Sequence, residues 1–347
     1  MAHEGEGAVP CVPRDFGNGG TVCVCNSSYC DTVDPISPSS PGNYVLYTSS
    51  KDGLRFKRSN GVLRPDYENV TGDIQMVVEA DLKYQRIIGF GGAFTDAAGI
   101  NIESLSPAAQ ELLMQSYFSQ LGTEYNIGRV PIAGCDFSTR TYTYDDIPGD
   151  ILLSHFNLTQ EDFLFKIPLI RRAIDLSNGS LILIGSAWTA PPWMKTNNDY
   201  SGFGFLKREF FQLWAEYHIK FLDAYKDLGL ELWALTTGNE PINGIIPINR
   251  FNSMGWTPKE MREWIAENIG PTIATSKHKQ TKLIMLDDQR FLLPWWVNLV
   301  LRDPRANKFV DGIGVHWYWD SLFPRVKGLT MKDPKTPCTL VGGNNTQ

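Results

Sequence analysis

The sequence predicts an α/β protein of the (β/α)8 TIM-barrel type, incomplete, with about six of the eight strands and with antiparallel β segments at its N-terminal end. Three observations carry this expectation. Six short apolar runs from residue 86 onward alternate with helical stretches, the signature of a parallel sheet with crossover helices. Each run ends in polar or aromatic residues, and in a barrel these tips face the substrate. The chain has 347 residues, enough for a barrel with an additional module and too many for one small core.

Residues 1–36 read as a disulfide-bonded β segment. Cys11, Cys23, Cys25 and Cys30 crowd together beside the sequon Asn26-Ser27-Ser28, which suggests two disulfides formed in the secretory pathway. Zinc is the competing reading, weakened because there is no Cys-x2-Cys pair and His3 is the one nearby imidazole. Sequons at Asn69, Asn157 and Asn178 agree with a lysosomal or secretory location, although Met1–Gly7 has neither the basic start nor the apolar stretch of a signal peptide. A Pro/Ser-rich break over residues 31–41 reads as a linker. Residues 37–85 are expected to be part of a β-sandwich module, with strands at Tyr44–Thr48 and Ile74–Ala80. A sandwich needs about seven strands, so this segment requires partners from elsewhere.

Residues 86–347 are expected to be the incomplete barrel, with a divergent tail from about 321. Its strand candidates are residues 87–92, 127–132, 181–186, 232–236, 282–287 and 312–317. Ser106-Pro107 supplies an N-cap and first turn for one helix. Phe210, Trp214, Tyr217, Phe221, Tyr225 and Leu228 form a 3.6-period stripe closed by Gly229. Beyond Tyr318 nothing longer than Thr339-Leu340-Val341 resembles a strand, so a C-terminally truncated barrel is expected, with Val315 on an unpaired edge.

Composition narrows the function. A formal net charge of −6 without a basic block argues against nucleic acid, and no apolar run approaches the ~18 residues of a membrane helix. Ten Trp, eighteen Phe and thirteen Tyr suit stacking on sugar rings, although most are expected to fill core. Gly89-Phe90-Gly91-Gly92 lacks the third glycine of a dinucleotide site. No Gly-x-Ser-x-Gly elbow exists, and the scattered five His give no support for a metal. No cofactor is implied.

The most informative step is Asn239-Glu240-Pro241, which ends the run Leu232–Thr237 and delivers one carboxyl group to a strand tip. Sugar cleavage on a barrel wants an acid there, a hydrogen-bond donor to the sugar 2-hydroxyl, an aromatic floor and a second carboxylate. Glu240, Asn239 and Trp188 fill the first three roles. A strand-end Glu in a surface salt bridge is the competing reading.

Taken together, Gly89–Ala98, Arg129-Val130-Pro131, Cys135–Ser138, Trp188–Trp193, Asn239-Glu240-Pro241, Met285–Arg290 and His316-Trp317-Tyr318 resemble the glucosylceramidase (lysosomal acid β-glucosidase) family. The resemblance runs from Cys11 to about Asp320. It implies disulfides Cys11–Cys23 and Cys25–Cys30, Glu240 as general acid/base of a retaining hydrolase, and a glucose grip of Arg129, Asp136, Trp188 and Asn239. His316 and Tyr318 would line the pocket, with Phe251 at its mouth. It also implies glucosylceramide or a related β-glucoside as substrate, and as partners a lipid-presenting activator protein and an anionic membrane surface. Gly238 replaces an acidic residue usual in the family, and Asn249 an aromatic. The family nucleophile is a Glu at the seventh strand tip, and the residues after Tyr318 contain no Glu. The expectation is therefore a glucosylceramidase-type chain that lacks its nucleophile and is inactive in this form. The alternative is an inactive sugar- or sphingolipid-binding relative, and a remoter one makes Asp136 or Asp288 the second carboxylate of an inverting enzyme.

Overall fold

The computed structural model describes residues 9–17, 19–51, 54, 56–64 and 76–320. By internal contacts the chain divides into two units, Met1–Phe90 with Leu105–Tyr125, and Gly91–Ser104 with Asn126–Gln347. The first contains two small antiparallel sheets. β1 (Pro13–Asp15) pairs with β2 (Thr21–Cys23), and β3 (Asn43–Thr48) pairs with β4 (Lys57–Val62). Disulfides Cys11–Cys23 and Cys25–Cys30 staple the first hairpin, which decides the cysteines against zinc. The strand expected over Ile74–Ala80 is not formed by its described residues, 76–80. Met76, Val77 and Val78 are 84–90% exposed, because no described strand pairs with them. The sequon at Asn69 and the tail from residue 321 lie outside the described residues.

The second unit is a curled half-barrel of six parallel strands in chain order. These are β5 (Gly91–Ala93), β6 (Ile127–Ile132), β7 (Ile182–Ala187), β8 (Leu232–Thr236), β9 (Lys282–Gln289) and β10 (Gly312–His316). β5 begins four residues later than the sequence suggested. Its register sets Gly91 opposite Ile127, the first residue of β6. A Cβ at Gly91 would run into the Ile127 carbonyl, so a glycine is what allows the two strands to approach. β10 pairs with β9 on one side, and Val315 on that strand is nonetheless buried.

Crossover helices alternate with these strands. α1 (Asp96–Glu103) is capped by Thr95, while α2 (Pro107–Phe118), which belongs to the first unit, starts at the expected Ser106 cap with Pro107 in its first turn. A π-helical turn, Asp162–Lys166, leads into α3 (Ile167–Leu176). α4 (Phe211–Asp227) buries the aromatic stripe and stops at Leu228, with Gly229 at φ +81°, the left-handed conformation that glycine adopts without penalty. α5 (Pro258–Trp264) has a capping box from Thr257 and Glu260. α6 (Gly270–Thr275), α7 (Trp295–Leu301) and α8 (Pro304–Asn307) complete the described set. Strand residues are buried in near-continuous runs, as expected where both faces of a parallel sheet are covered.

Phe221 joins α4 to the sheet. It is wholly buried, stacks on Tyr144, meets the Tyr225 ring at a tilt, and lies where a Cβ on Gly185 of β7 would touch it. Phe221→Ala is expected to destabilise the chain by about 3–5 kcal/mol, read from urea denaturation. A loss below about 1 kcal/mol would mean that α4 does not pack as described.

Candidate active site

The tip of β8 is drawn between its two neighbours. The Asn239 amide donates to the Ala187 carbonyl at 2.8 Å, and the Glu240 amide donates to the Asp287 carbonyl at 2.9 Å. Held this way, Glu240 takes a left-handed backbone conformation, φ +44° and ψ +67°, a strained geometry of the kind that collects at functional sites. Pro241 then opens a short 3-10 helix, Pro241–Ile245. Its locked φ suits the first turn.

The Glu240 side chain is held at both oxygens. Oε1 accepts from Gln289 Nε2 at 2.6 Å and from His316 Nδ1 at 2.7 Å, while Oε2 accepts from Asn243 Nδ2. The opposite nitrogen of His316, Nε2, donates to Asp287 Oδ1 at 2.9 Å. Asp287 Oδ2 accepts from Arg129 Nη2 and from the Ser186 hydroxyl, each at 2.8 Å. Arg129 Nη2 also donates to Asn239 Oδ1 at 2.8 Å. One continuous chain of charge-assisted bonds therefore runs Arg129, Asp287, His316, Glu240, from the middle of β6 through the C-terminal ends of β9 and β10 to the residue that follows β8.

The electrostatics follow from burial and pairing. Burial alone would favour the neutral His316 ring, but its hydrogen bonds to Asp287 and Glu240 outweigh this and raise it from 6.5 to about 9. Both ring nitrogens then donate. Burial opposes ionisation of Asp287, yet Arg129 and His316 hold its carboxyl well below the usual range. Asp288 is fully buried and its oxygens accept from the amides of Ile242 and Gln289. Burial and, after it, the nearby Glu240 charge push it up to about 7.

Beside this chain lie the other predicted residues. Arg129 stands over the Trp188 ring, 4.6 Å from its centroid. Asp136 is raised by burial and by the Glu240 charge. The Trp188 indole lies close enough to Asp136 to favour its ionised form. Even so, Trp188 Nε1 and Asp136 Oδ1 are both buried without completing a well-aligned hydrogen bond. Tyr318 packs edge-on against His316, its ring centroid 6.1 Å away. Phe251 is half-buried in the loop after the 3-10 helix. Its neighbour Asn252 fastens that loop to the carbonyls of Gly134 and Tyr142.

Sequence reasoning did not single out Asp287 as the hub, nor Ser186, Gln289 and Asn243 as its accessories. Asp287-Asp288 was visible as a strand tip, but which carboxyl turns inward depends on the left-handed step at Leu286 and Asp287, φ +72° and +52°. Thr95-Asp96, just beyond the C-terminal end of β5, turns elsewhere. Asp96 is buried against Lys166, Tyr142 and Ser138.

A family model, the glycosyl hydrolase family 30 TIM-barrel domain, matches residues 87–346. The chain is 48% identical over 323 residues to lysosomal acid glucosylceramidase of Mus musculus, covering 92% of this chain and 62% of that protein. It is 40% identical over 332 residues to a glucosylceramidase-named protein of Caenorhabditis elegans, covering 94% and 64%. The chain thus spans somewhat less than two thirds of the length of these relatives. Among solved structures, SrfJ from Salmonella typhimurium aligns with a TM-score of 0.65 at 28% identity, covering 76% of this chain and 57% of that one.

The raised His316 predicts a pH signature. A folded pKa above the unfolded value of 6.5 gives stability that is complete below pH 6.5 and is lost as pH rises to about 9, on the order of 3 kcal/mol. Lys195, lowered by burial to about 7, works in the opposite sense from pH 7 upward, so parent and variant must be compared. His316→Asn is expected to lower the melting temperature most below about pH 6.5 and progressively less toward about pH 9. An equal loss at every pH would contradict the pairing.

Proposed function

The chain belongs to glycosyl hydrolase family 30, and on that footing we propose that it is the acid-bearing part of a glucosylceramidase-type retaining β-glucosidase. The reaction would be hydrolysis of glucosylceramide to glucose and ceramide. The observation that carries this reading is the Glu240 carboxyl, set at a barrel strand tip and bonded through His316 to buried Asp287. Glu240 protonates the glycosidic oxygen as the bond breaks. In the second half-reaction its carboxylate takes a proton from the water that releases the sugar from a carboxylate nucleophile. His316 Nδ1, 2.7 Å from Glu240 Oε1, holds the carboxyl in place for both proton transfers. Asp287 keeps the His316 ring in place.

Arg129, Asp136, Trp188 and Asn239 grip glucose, with His316 and Tyr318 lining the pocket and Phe251 at the mouth. Support for a sugar comes from the pair Asp136 Oδ1 and Trp188 Nε1. One is an acceptor and the other a donor, and a single hydroxyl satisfies both. The mouse relative's lysosomal name supports an acidic compartment. No helix among the described residues is long and apolar enough to cross a membrane. An activator protein and an anionic membrane surface remain part of the proposal as the partners that would present a lipid substrate.

No Glu follows Glu267 in the sequence, so the 347 residues bring the acid and the grip without a second glutamate at a later strand tip. This favours a second reading, in which the chain binds a glucoside without turning it over. Removing a catalytic nucleophile costs several orders of magnitude in rate. The purified chain is therefore expected to bind 1-deoxynojirimycin, a glucose-shaped iminosugar, while releasing no fluorophore from a 4-methylumbelliferyl β-glucoside. Trp188→Ala should weaken that binding by about 10- to 100-fold, as loss of a buried aromatic anchor does. Turnover comparable to a complete family member would overturn the inactivity, and binding untouched by Trp188→Ala would overturn the grip.

A further inference from the structure

Beneath the tip of β6 lies a buried ionic cluster that the proposed chemistry does not use. The Lys166 side chain is wholly buried, with Nζ 3.3 Å from Asp96 Oδ1 and 3.5 Å from Asp162 Oδ1. The Tyr144 and Tyr225 hydroxyls donate to Asp162 Oδ1 at 2.7 and 2.8 Å, and the Tyr142 hydroxyl donates to Asp96 Oδ2 at 2.9 Å. Well-packed apolar residues commonly stabilise a core as well as such a cluster does. What this one holds in place is therefore informative.

It holds the backbone that carries Asp136. Lys166 Nζ donates to the carbonyls of Pro131 and Ala133 at 3.2 and 3.0 Å. Ala133 has φ +67°, a left-handed conformation that disfavours a side chain, and there the chain leaves β6 to turn toward the site. On the far side of Asp136, the Ser138 hydroxyl donates to Asp96 Oδ2 and accepts from the Cys135 amide at 3.0 Å. Asp136 thus stands inside a turn whose two ends are both tied to the Lys166–Asp96 pair. Its Oδ1 is buried without completing a well-aligned hydrogen bond.

We propose that the Lys166–Asp96 pair, acting through Ser138 and the strained Ala133, is the positioning device for Asp136 and sets how tightly the site holds a sugar hydroxyl. The inference rests on the reading of Asp136 as a sugar ligand. Ser138 is the member to test, because its removal leaves no buried charge unpaired, whereas Lys166→Met would strand two carboxylates.

The experiment is a double-mutant cycle on the full 347-residue chain, with 1-deoxynojirimycin binding measured by calorimetry at a temperature where every variant is folded. Asp136→Ala should weaken binding by about 100-fold and Ser138→Ala by about 10-fold, the range of a hydrogen bond to a charged group. The double variant should bind no more weakly than Asp136→Ala alone, since Ser138 acts through the group already removed. Asp96→Asn, run in the same cycle, should show the same dependence on Asp136. Additive losses, about 1000-fold in the double variant, would overturn the positioning role while leaving Asp136 as a ligand. No loss from Asp136→Ala itself would overturn the inference together with the reading on which it rests.

Discussion

The site depends on one buried carboxylate. Asp287 has no exposure, and an ionised group in that position is sustained by partners of opposite charge or not at all. Arg129 from β6 and His316 from β10 are those partners. They lie on strands separated from β9 by three places and one place in the sheet, so satisfying Asp287 fixes the mutual placement of most of the strand tips. The same requirement makes His316 a cation, and the cation lies against Glu240. The position of the acid and the character of its environment therefore follow from a single demand for charge compensation.

Much of this architecture was legible in the sequence because the cues were local. Ser106-Pro107 marks a helix start through one side chain and one locked φ, and the stripe from Trp214 to Tyr225 marks a buried face through its period. Asn239-Glu240-Pro241 announced itself because an acid and an amide end an apolar strand. Cues requiring a partner were less reliable. Ile74–Ala80 reads like a strand, but its described residues have no described strand to pair with, and Ile87–Phe90 look like the start of β5 although the pairing with β6 begins at Gly91, opposite Ile127.

The hub itself was hidden for a related reason. Nothing in Met285-Leu286-Asp287-Asp288 says which of two adjacent acids is ionised and which is held near neutrality. The left-handed steps at Leu286 and Asp287 decide it by sending Asp287 toward Arg129 and His316 and Asp288 toward the amides of Ile242 and Gln289. Backbone strain is also what brings Glu240 and the Asp136 turn into place. At Glu240, at Ala133 and at Asp287, a non-glycine residue held at positive φ is tied down by hydrogen bonds from neighbouring strand tips or from a buried ion pair.

The support of Glu240 stands or falls on the charge of His316. The most direct measurement is the 15N chemical shift of its two ring nitrogens across a pH titration of the folded chain, assigned with His316→Asn. Two protonated nitrogens persisting through neutral pH, with titration near 9, is the predicted result. A ring that loses a proton near 6.5, the ordinary histidine value, would mean that Asp287 and Glu240 do not hold it as a cation, and the proposed support of the acid would fail with it.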